Sequence, residues 1–142
     1  MLSVGIKAPG FVLESTQGIV DLNSIKEKVL LLFYPRDNTS GCTRQLAAAQ
    51  DSLLKYQELG VSVLALNYGS LESHHRFSEK YGFSFPLCVD QDKQIAKLYG
   101  VVTAEGKLNR SAFIIDEHKI ISYAKKGHPT TEELLEEINK IK

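Results

Sequence analysis

Sulfur and surplus charge are both scarce in this chain. Among its 142 residues there are two cysteines, Cys42 and Cys88, one methionine and no tryptophan. Two cysteines with no neighbouring ligand fall short of the four that a closed zinc site takes. The four histidines do not make up the difference. His74 and His75 are adjacent, about 100° apart on a helix, whereas ligand pairs stand three or four residues apart on one face. No metal is therefore expected. A nucleotide cofactor is not expected either, because there is no G-x-G-x-x-G turn or Walker loop to hold its phosphates. Lysine plus arginine and aspartate plus glutamate both number 17. Zero net charge argues against nucleic acid or an anionic membrane as partner, since both reward a basic surplus. The longest apolar run, Val29 to Tyr34, has six residues, far short of the roughly 20 that a membrane helix needs. The opening MLSVGIKAPG lacks the apolar stretch of a secretory signal. The expectation is a cytoplasmic protein of one domain, 1–142, in a compartment that disfavours stabilising disulfides.

What is present is ordinary globular material, 43% hydrophobic and 24% charged, long enough to bury a core without disulfide or metal staples. No repeat or linker interrupts it. Alternating patches around Phe11–Leu13 and Ile19–Asp21, separated by Thr16-Gln17-Gly18, predict an edge hairpin within Gly10 to Leu22. The run Val29 to Tyr34 predicts a central strand buried on both faces. Pro35 ends it, and Arg36 to Gly41 form a polar loop. Leu46, Ala49, Leu53 and Leu54 then mark one face of a helix closed by Gly60. Val61 to Leu66 is a second buried strand. Ser70 caps a helix that carries His74 and Phe77 and stops at Gly82. Phe85 to Val89 reads as a short strand and Lys93 to Tyr99 as a short helix. Two strands, Ala112 to Asp116 and Lys119 to Lys125, flank a Glu117-His118 turn. Thr130 and Glu133 make a capping box for a last helix with Leu134, Leu135, Ile138 and Ile141 on one side. The order is α/β, with a central sheet covered by helices on both faces.

Cys42 follows a strand-ending loop and opens a helix. A thiol there meets unpaired backbone N–H groups and the positive end of the helix dipole, which favour thiolate over thiol. Thr39 or Asn38 is the expected cap. Position alone leaves two readings open, a reactive nucleophile or a small residue that happens to begin a helix.

The segment Phe33-Tyr34-Pro35-Arg36-Asp37-Asn38-Thr39-Ser40-Gly41-Cys42-Thr43-Arg44-Gln45 resembles the active-site loop of the peroxiredoxins, whose pattern is P-x3-T-x2-C. Through its Tyr-Pro, Asn-Thr and Gly-Cys-Thr elements it is most similar to the bacterioferritin comigratory protein, or peroxiredoxin Q, subfamily. Arg110-Ser111-Ala112-Phe113-Ile114-Ile115-Asp116 resembles the strand that carries the family's active-site arginine. Phe85-Pro86-Leu87-Cys88-Val89-Asp90 stands where the family usually shows F-P-L-L-x-D. The three matches keep the family's order and span most of the chain.

The resemblance implies a thioredoxin-like fold with a central mixed sheet, and a peroxidase acting on hydrogen peroxide and organic hydroperoxides. Cys42 thiolate would attack the peroxide and become a sulfenic acid. The Thr39 hydroxyl, the Cys42 N–H and the Arg110 guanidinium would meet the charge growing on the leaving oxygen. Pro35 would shield the thiolate. Gln45 is read as a hydrogen-bonding residue of the pocket, and Arg36 and Arg44 as surface charges. Subfamily members often carry a resolving cysteine five positions on, or in the following helix; here those positions hold Ala47 and Ser78. Cys88 matches neither and reads as a buried strand cysteine. The expected cycle therefore uses one cysteine and an external thiol, whether thioredoxin, glutaredoxin or a small molecule, with the chain a monomer or weak homodimer. Two alternatives stay open: a Cys42–Cys88 disulfide, and a non-enzymatic redox sensor. A C-x-x-C oxidoreductase does not fit, since the residue three after Cys42 is Gln45.

Overall fold

The computed structural model describes residues 1–141; Lys142, the last position of the expected domain, lies outside the described residues. Seven strands form one sheet: β1 (Val12–Ser15), β2 (Gly18–Asp21), β3 (Lys28–Phe33), β4 (Val61–Asn67), β5 (Leu87–Val89), β6 (Ser111–Ile115) and β7 (Ile121–Lys126). Their order across it is β2-β1-β5-β4-β3-β6-β7. β3 is central because its residues are apolar on both faces. It pairs in parallel with β4, Phe33 opposite Leu66, and antiparallel with β6, Phe33 opposite Ser111. Five helices complete the fold: α1 (Ser40–Asp51), α2 (Leu53–Glu58), α3 (Leu71–Tyr81), α4 (Gln94–Leu98) and α5 (Thr131–Asn139).

Strand alternation sorts the core into two layers. Leu30, Leu32 and Tyr34 join Val63, Ala65 and Ile114 beneath α1, α2, α3 and α5, which contribute Leu46, Tyr56, Phe77 and Leu134. Val29, Leu31 and Phe33 join Leu64, Leu66 and Phe113 on the other face, under Ile95 and Ala96 of α4 and the N-terminal Phe11 and Leu22. Each fully buried Leu or Phe contributes roughly 1.5–3 kcal/mol. The mixed sheet with helices on both faces is the thioredoxin-like architecture that the resemblance implies.

β7 starts at Ile121 rather than Lys119, which sits in the preceding turn at φ 66°, and α5 ends at Asn139, short of Ile141; three other elements depart further from their sequence patterns. The helix expected to run from Leu46 towards Gly60 breaks at Ser52, whose φ −110° and ψ 11° are not helical. Serine competes for backbone hydrogen bonds. Beyond the break, Leu53 and Tyr56 face the sheet, while Leu54 is left 69% exposed. The strand expected from Phe85 shortens to Leu87–Val89 because Pro86 has no N–H for the ladder, although its carbonyl still accepts from Ala65 N at 3.1 Å. The helix expected from Lys93 begins one residue later. A 3-10 turn over Gln91–Lys93 precedes it, with Asp92 and Lys93 at φ 58° and 57°.

The register of β3 fixes the place of the site. The carboxyl ends of β3 and β4 and the start of β6 meet at one edge of the sheet, so the loop after β3 lies beside the residue that precedes β6.

Candidate active site

Pro35 cuts the loop from the strand, since it brings no N–H to the ladder. Asn38 takes a left-handed φ of 62°, a conformation asparagine tolerates. Thr39 returns to an extended φ −91° and ψ 156° and caps α1. Its Oγ1 accepts the Cys42 N–H at 3.4 Å, and its carbonyl accepts from Thr43 N at 2.8 Å and Thr43 Oγ1 at 2.7 Å. Of the two caps the sequence allowed, Thr39 serves and Asn38 does not. The Thr39 hydroxyl also donates to Arg36 O at 3.4 Å. Both of its contacts are long, so neither holds it tightly. Cys42 is the third residue of α1, fully buried in the layer of Tyr34 and Leu46. That place puts its side chain in the first turn of the helix, where backbone N–H groups have no partner within the helix.

Arg110, immediately before β6, reaches the same turn of helix. Its Nη1 donates to Gln45 Oε1 at 2.8 Å. Its Nη2 lies against Gly41 so closely that a β-carbon at position 41 would fall 2.9 Å from it. Gly41 and Gln45 stand one helical turn apart, and the guanidinium lies across both. The rest of the Gln45 amide, Nε2, is buried without a partner among the described residues. An orphaned donor costs about 1–3 kcal/mol, which the other end offsets by anchoring Arg110. Gln45 thus has the pocket hydrogen-bonding place that the sequence suggested. Pro35 is half-buried and lines a groove of about 290 Å³ with Arg36, Tyr68, Lys93 and Lys107. Arg36 and Arg44 are exposed.

His128, to which the sequence reading gave no role, stands near these groups. Partial desolvation and the charges of Arg110 and Arg44 hold its ring below the ordinary histidine range. It therefore adds no further positive charge beside Arg110 at neutral pH.

A second cluster also escaped the sequence reading. The Tyr34 hydroxyl donates to Asp37 Oδ1 at 2.7 Å, and Ser73 Oγ donates to Asp37 Oδ2 at 2.6 Å. His74, 0% exposed, sets Nδ1 2.7 Å from Asp37 Oδ2 and Nε2 3.1 Å from Cys88 O and 3.2 Å from Asn67 O. Burial works to raise the Asp37 carboxyl, but the hydrogen bonds from His74, Ser73 and Tyr34 more than offset it and hold the group below its ordinary value. The spacing of His74 and Phe77 on α3 was the available sign that this histidine faces inward; nothing local paired it with Asp37.

The two cysteines are free and lie in different layers, Cys42 on the inner face of α1 with Tyr34 and Leu46, and Cys88 among Leu64, Leu66 and Phe113. Burial, and then Asp90, pushes the Cys88 thiol up to about 12. Ser78 Oγ donates to Phe83 O at 3.1 Å. No helix among the described residues is long and apolar enough to cross a membrane.

Comparison with known proteins gives the same answer from another direction. The AhpC/TSA family model matches residues 4–124. A bcp peroxiredoxin of Coxiella burnetii is 35% identical over 130 residues, covering 85% of this chain and 86% of that protein. The chloroplastic peroxiredoxin Q of Triticum aestivum is 35% identical over 126 residues, covering 86% of this chain. This chain spans only 58% of the wheat protein's length. A solved yeast mitochondrial 1-Cys peroxiredoxin, described for thiol resolution via glutathione and thioredoxin systems, superposes with a TM-score of 0.88 at 25% identity. That match covers 98% of this chain and 76% of the yeast one. With Cys42 at the head of α1 beneath an arginine, and a family match across most of its length, the chain belongs to the AhpC/TSA family and, within it, to the bcp and peroxiredoxin Q type of peroxiredoxin, thiol-dependent peroxidases that reduce peroxides with electrons from a thiol.

Proposed function

We propose that Cys42 is the peroxidatic residue of a one-cysteine cycle run by residues 1–142 as a single catalytic domain. The observation that carries the reading is the seat of Cys42 in the first turn of α1, with Arg110 held over that turn by Gln45. Cys42 thiolate attacks the distal oxygen of hydrogen peroxide or an organic hydroperoxide. The S–O bond forms as the O–O bond breaks. Sulfur gives up two electrons, and the leaving oxygen takes a proton and departs as water or an alcohol. The Thr39 hydroxyl, the Cys42 N–H and Arg110 stabilise the charge on that oxygen. Pro35 limits water at the thiolate. Arginine suits the task because it stays charged and offers several donors in one plane.

An external thiol then condenses with the sulfenic acid, forming a mixed disulfide and releasing water. A second thiol frees Cys42 and leaves with the first as a disulfide. Ala47 and Ser78 offer no sulfur, and the buried Cys88 supports no internal route. The yeast 1-Cys relative supports a reductant of the glutathione or thioredoxin class. A reducing cytoplasm, in which the chain acts as a monomer or weak homodimer without nucleic acid or membrane, fits such a cycle.

The test is intact mass after one equivalent of hydrogen peroxide, with and without a sulfenic-acid trap. The expected result is a trapped adduct on Cys42, lost in Cys42→Ser and kept in Cys88→Ser. Retained peroxidase turnover in Cys42→Ser would overturn the assignment of the site. Loss of two hydrogens, with Cys42 and Cys88 joined, would overturn the one-cysteine cycle.

A further inference from the structure

The His74 ring is enclosed by acceptors. Asn67 O and Cys88 O, which flank Nε2, can only accept. Asp37 Oδ2, which faces Nδ1, already takes the Ser73 hydroxyl and belongs to a carboxyl held in its ionised form by its neighbours. A neutral imidazole carries one N–H and would leave one of these sides facing a lone pair, whereas an imidazolium donates at both. The pair is largely withdrawn from water, with the His74 side chain 0% and the Asp37 side chain 8% exposed. Of the other charged groups, Arg76 and Lys80, two and six residues beyond His74 on α3, line a recess with Asp37. Neither is hydrogen-bonded to the pair; Arg76 donates to Glu72 at 2.8 Å and Lys80 to Asn38 at 3.4 Å.

The pair ties three parts of the site together. Asp37 lies in the loop between Pro35 and Thr39, and His74 in α3. The backbone oxygens at Nε2 belong to the last residue of β4 and the middle residue of β5. Asn67 closes the frame, donating from Nδ2 to Tyr34 O at 2.7 Å and accepting from Gly69 N at 2.7 Å. Gly69 packs so tightly here that a β-carbon would fall 3.2 Å from both Asp37 Oδ2 and His74 Cε1. Tyr34, whose hydroxyl completes the Asp37 shell, packs in the layer that buries Cys42.

We propose that Asp37 and His74 are positioning residues of the peroxidase, an imidazolium–carboxylate pair sealed between the active-site loop and α3 that fixes the frame from which Pro35 and Thr39 are presented to Cys42. The proposal rests on Cys42 being the peroxidatic residue. The pair touches no reacting atom; it acts through the loop. Its loss therefore slows the step in which Thr39 and Pro35 must be in place, the attack on peroxide. The later attack of an external thiol on the sulfenic sulfur makes no use of the donors that Thr39 turns toward a departing peroxide oxygen, so it depends less on that frame.

The test has two arms. In the first, the ring nitrogens of ¹⁵N-labelled wild-type protein are read by NMR at neutral pH, with His74 assigned by its absence in His74→Gln. Both nitrogens of His74 are expected to carry protons, a signature that needs no variant to fold. In the second, stopped-flow oxidation of Cys42 by hydrogen peroxide and reduction of the sulfenic acid by dithiothreitol are timed separately in wild type and Asp37→Asn. The expected result is a loss of roughly tenfold to a hundredfold in the oxidation rate, the scale of a small misplacement at a reacting centre, with the reduction rate changed by less than about twofold. A neutral His74 ring in the wild type, or Asp37→Asn oxidising at the wild-type rate, would overturn the proposal. If wild-type protein itself formed no sulfenic acid at Cys42, the fault would lie with the site assignment instead.

Discussion

Gly41 matters for the atom it lacks. A β-carbon there would sit 2.9 Å from Arg110 Nη2, closer than a packed side chain allows, so the guanidinium would have to leave the turn it covers. Helix propensity runs the other way, since alanine is favoured over glycine by about 1 kcal/mol in a helix interior. Gly41→Ala should therefore melt at or slightly above the wild-type temperature while its Cys42 reacts with peroxide about a hundredfold more slowly, the scale of losing one oxyanion donor. A melting curve beside a stopped-flow trace reads both, and a variant that reacted at the wild-type rate would remove Arg110 from the mechanism. Cys42, Thr39, Pro35 and Arg110 could be picked out of the sequence as candidates because each sits in a motif whose spacing is local. Gln45 was legible as a neighbour one turn along the same helix. Asp37 with His74, and His128 with Arg110, were not. Asp37 and His74 meet only when β3 and β4 carry a loop and a helix to one edge of the sheet, and His128 reaches Arg110 only through the register of the β6–β7 hairpin, in which Gly127 N donates to Arg110 O at 2.7 Å.

The five helices followed the pattern where a cap marked their ends and departed from it where none did. Thr39, Ser70 and Thr130 each accept an N–H from the residue three positions on, as capping residues do, and the sequence placed all three helices correctly at that end. The break at Ser52 has no side-chain cap, so the periodicity ran through it and assigned Leu54 to the buried face. α3 ends on Gly82, at φ 68° with its N–H bonded to Ser78 O. No atom lies within 4 Å of a β-carbon built there, so Gly82→Ala would meet only the left-handed backbone penalty of roughly 1 kcal/mol. Denaturant unfolding should show that loss with peroxidase turnover unchanged. A fall in turnover at full occupancy of the native state would mean that the end of α3 communicates with the site by a route other than Asp37 and His74.

Acid stability and redox outcome both follow from how the layers enclose their polar groups. The Asp37 carboxyl is depressed in the folded state, so the unfolded chain binds its proton more readily. The stability this lends is complete above the ordinary carboxylate value of about 3.9 and is lost as pH falls through the depressed value. Asp37→Asn should be less stable than wild type at neutral pH, by about 3–5 kcal/mol if His74 is left as an unpaired buried charge, and the gap should narrow on acidification. Parallel stability curves for the two proteins would show that the carboxylate is not what links folding to pH there. The sheet itself decides what oxidation can produce. Cys42 belongs to the layer under α1 and Cys88 to the layer on the opposite face. Cys88 stands in β5, held between Leu66 of β4 and Ser15 of β1. A disulfide requires Cα atoms within about 7 Å and Cβ vectors that converge; residues on opposite faces of a hydrogen-bonded sheet do not converge unless strands separate. Peroxide should therefore leave native protein as a Cys42 sulfenic acid with Cys88 still a thiol. The same treatment in denaturant should let the two sulfurs join. Peptide mapping of the two samples decides the matter. A Cys42–Cys88 bond formed under native conditions as fast as the sulfenic acid disappears would mean that β5 leaves the sheet during turnover, and the peroxidase would then supply its own second thiol by local unfolding.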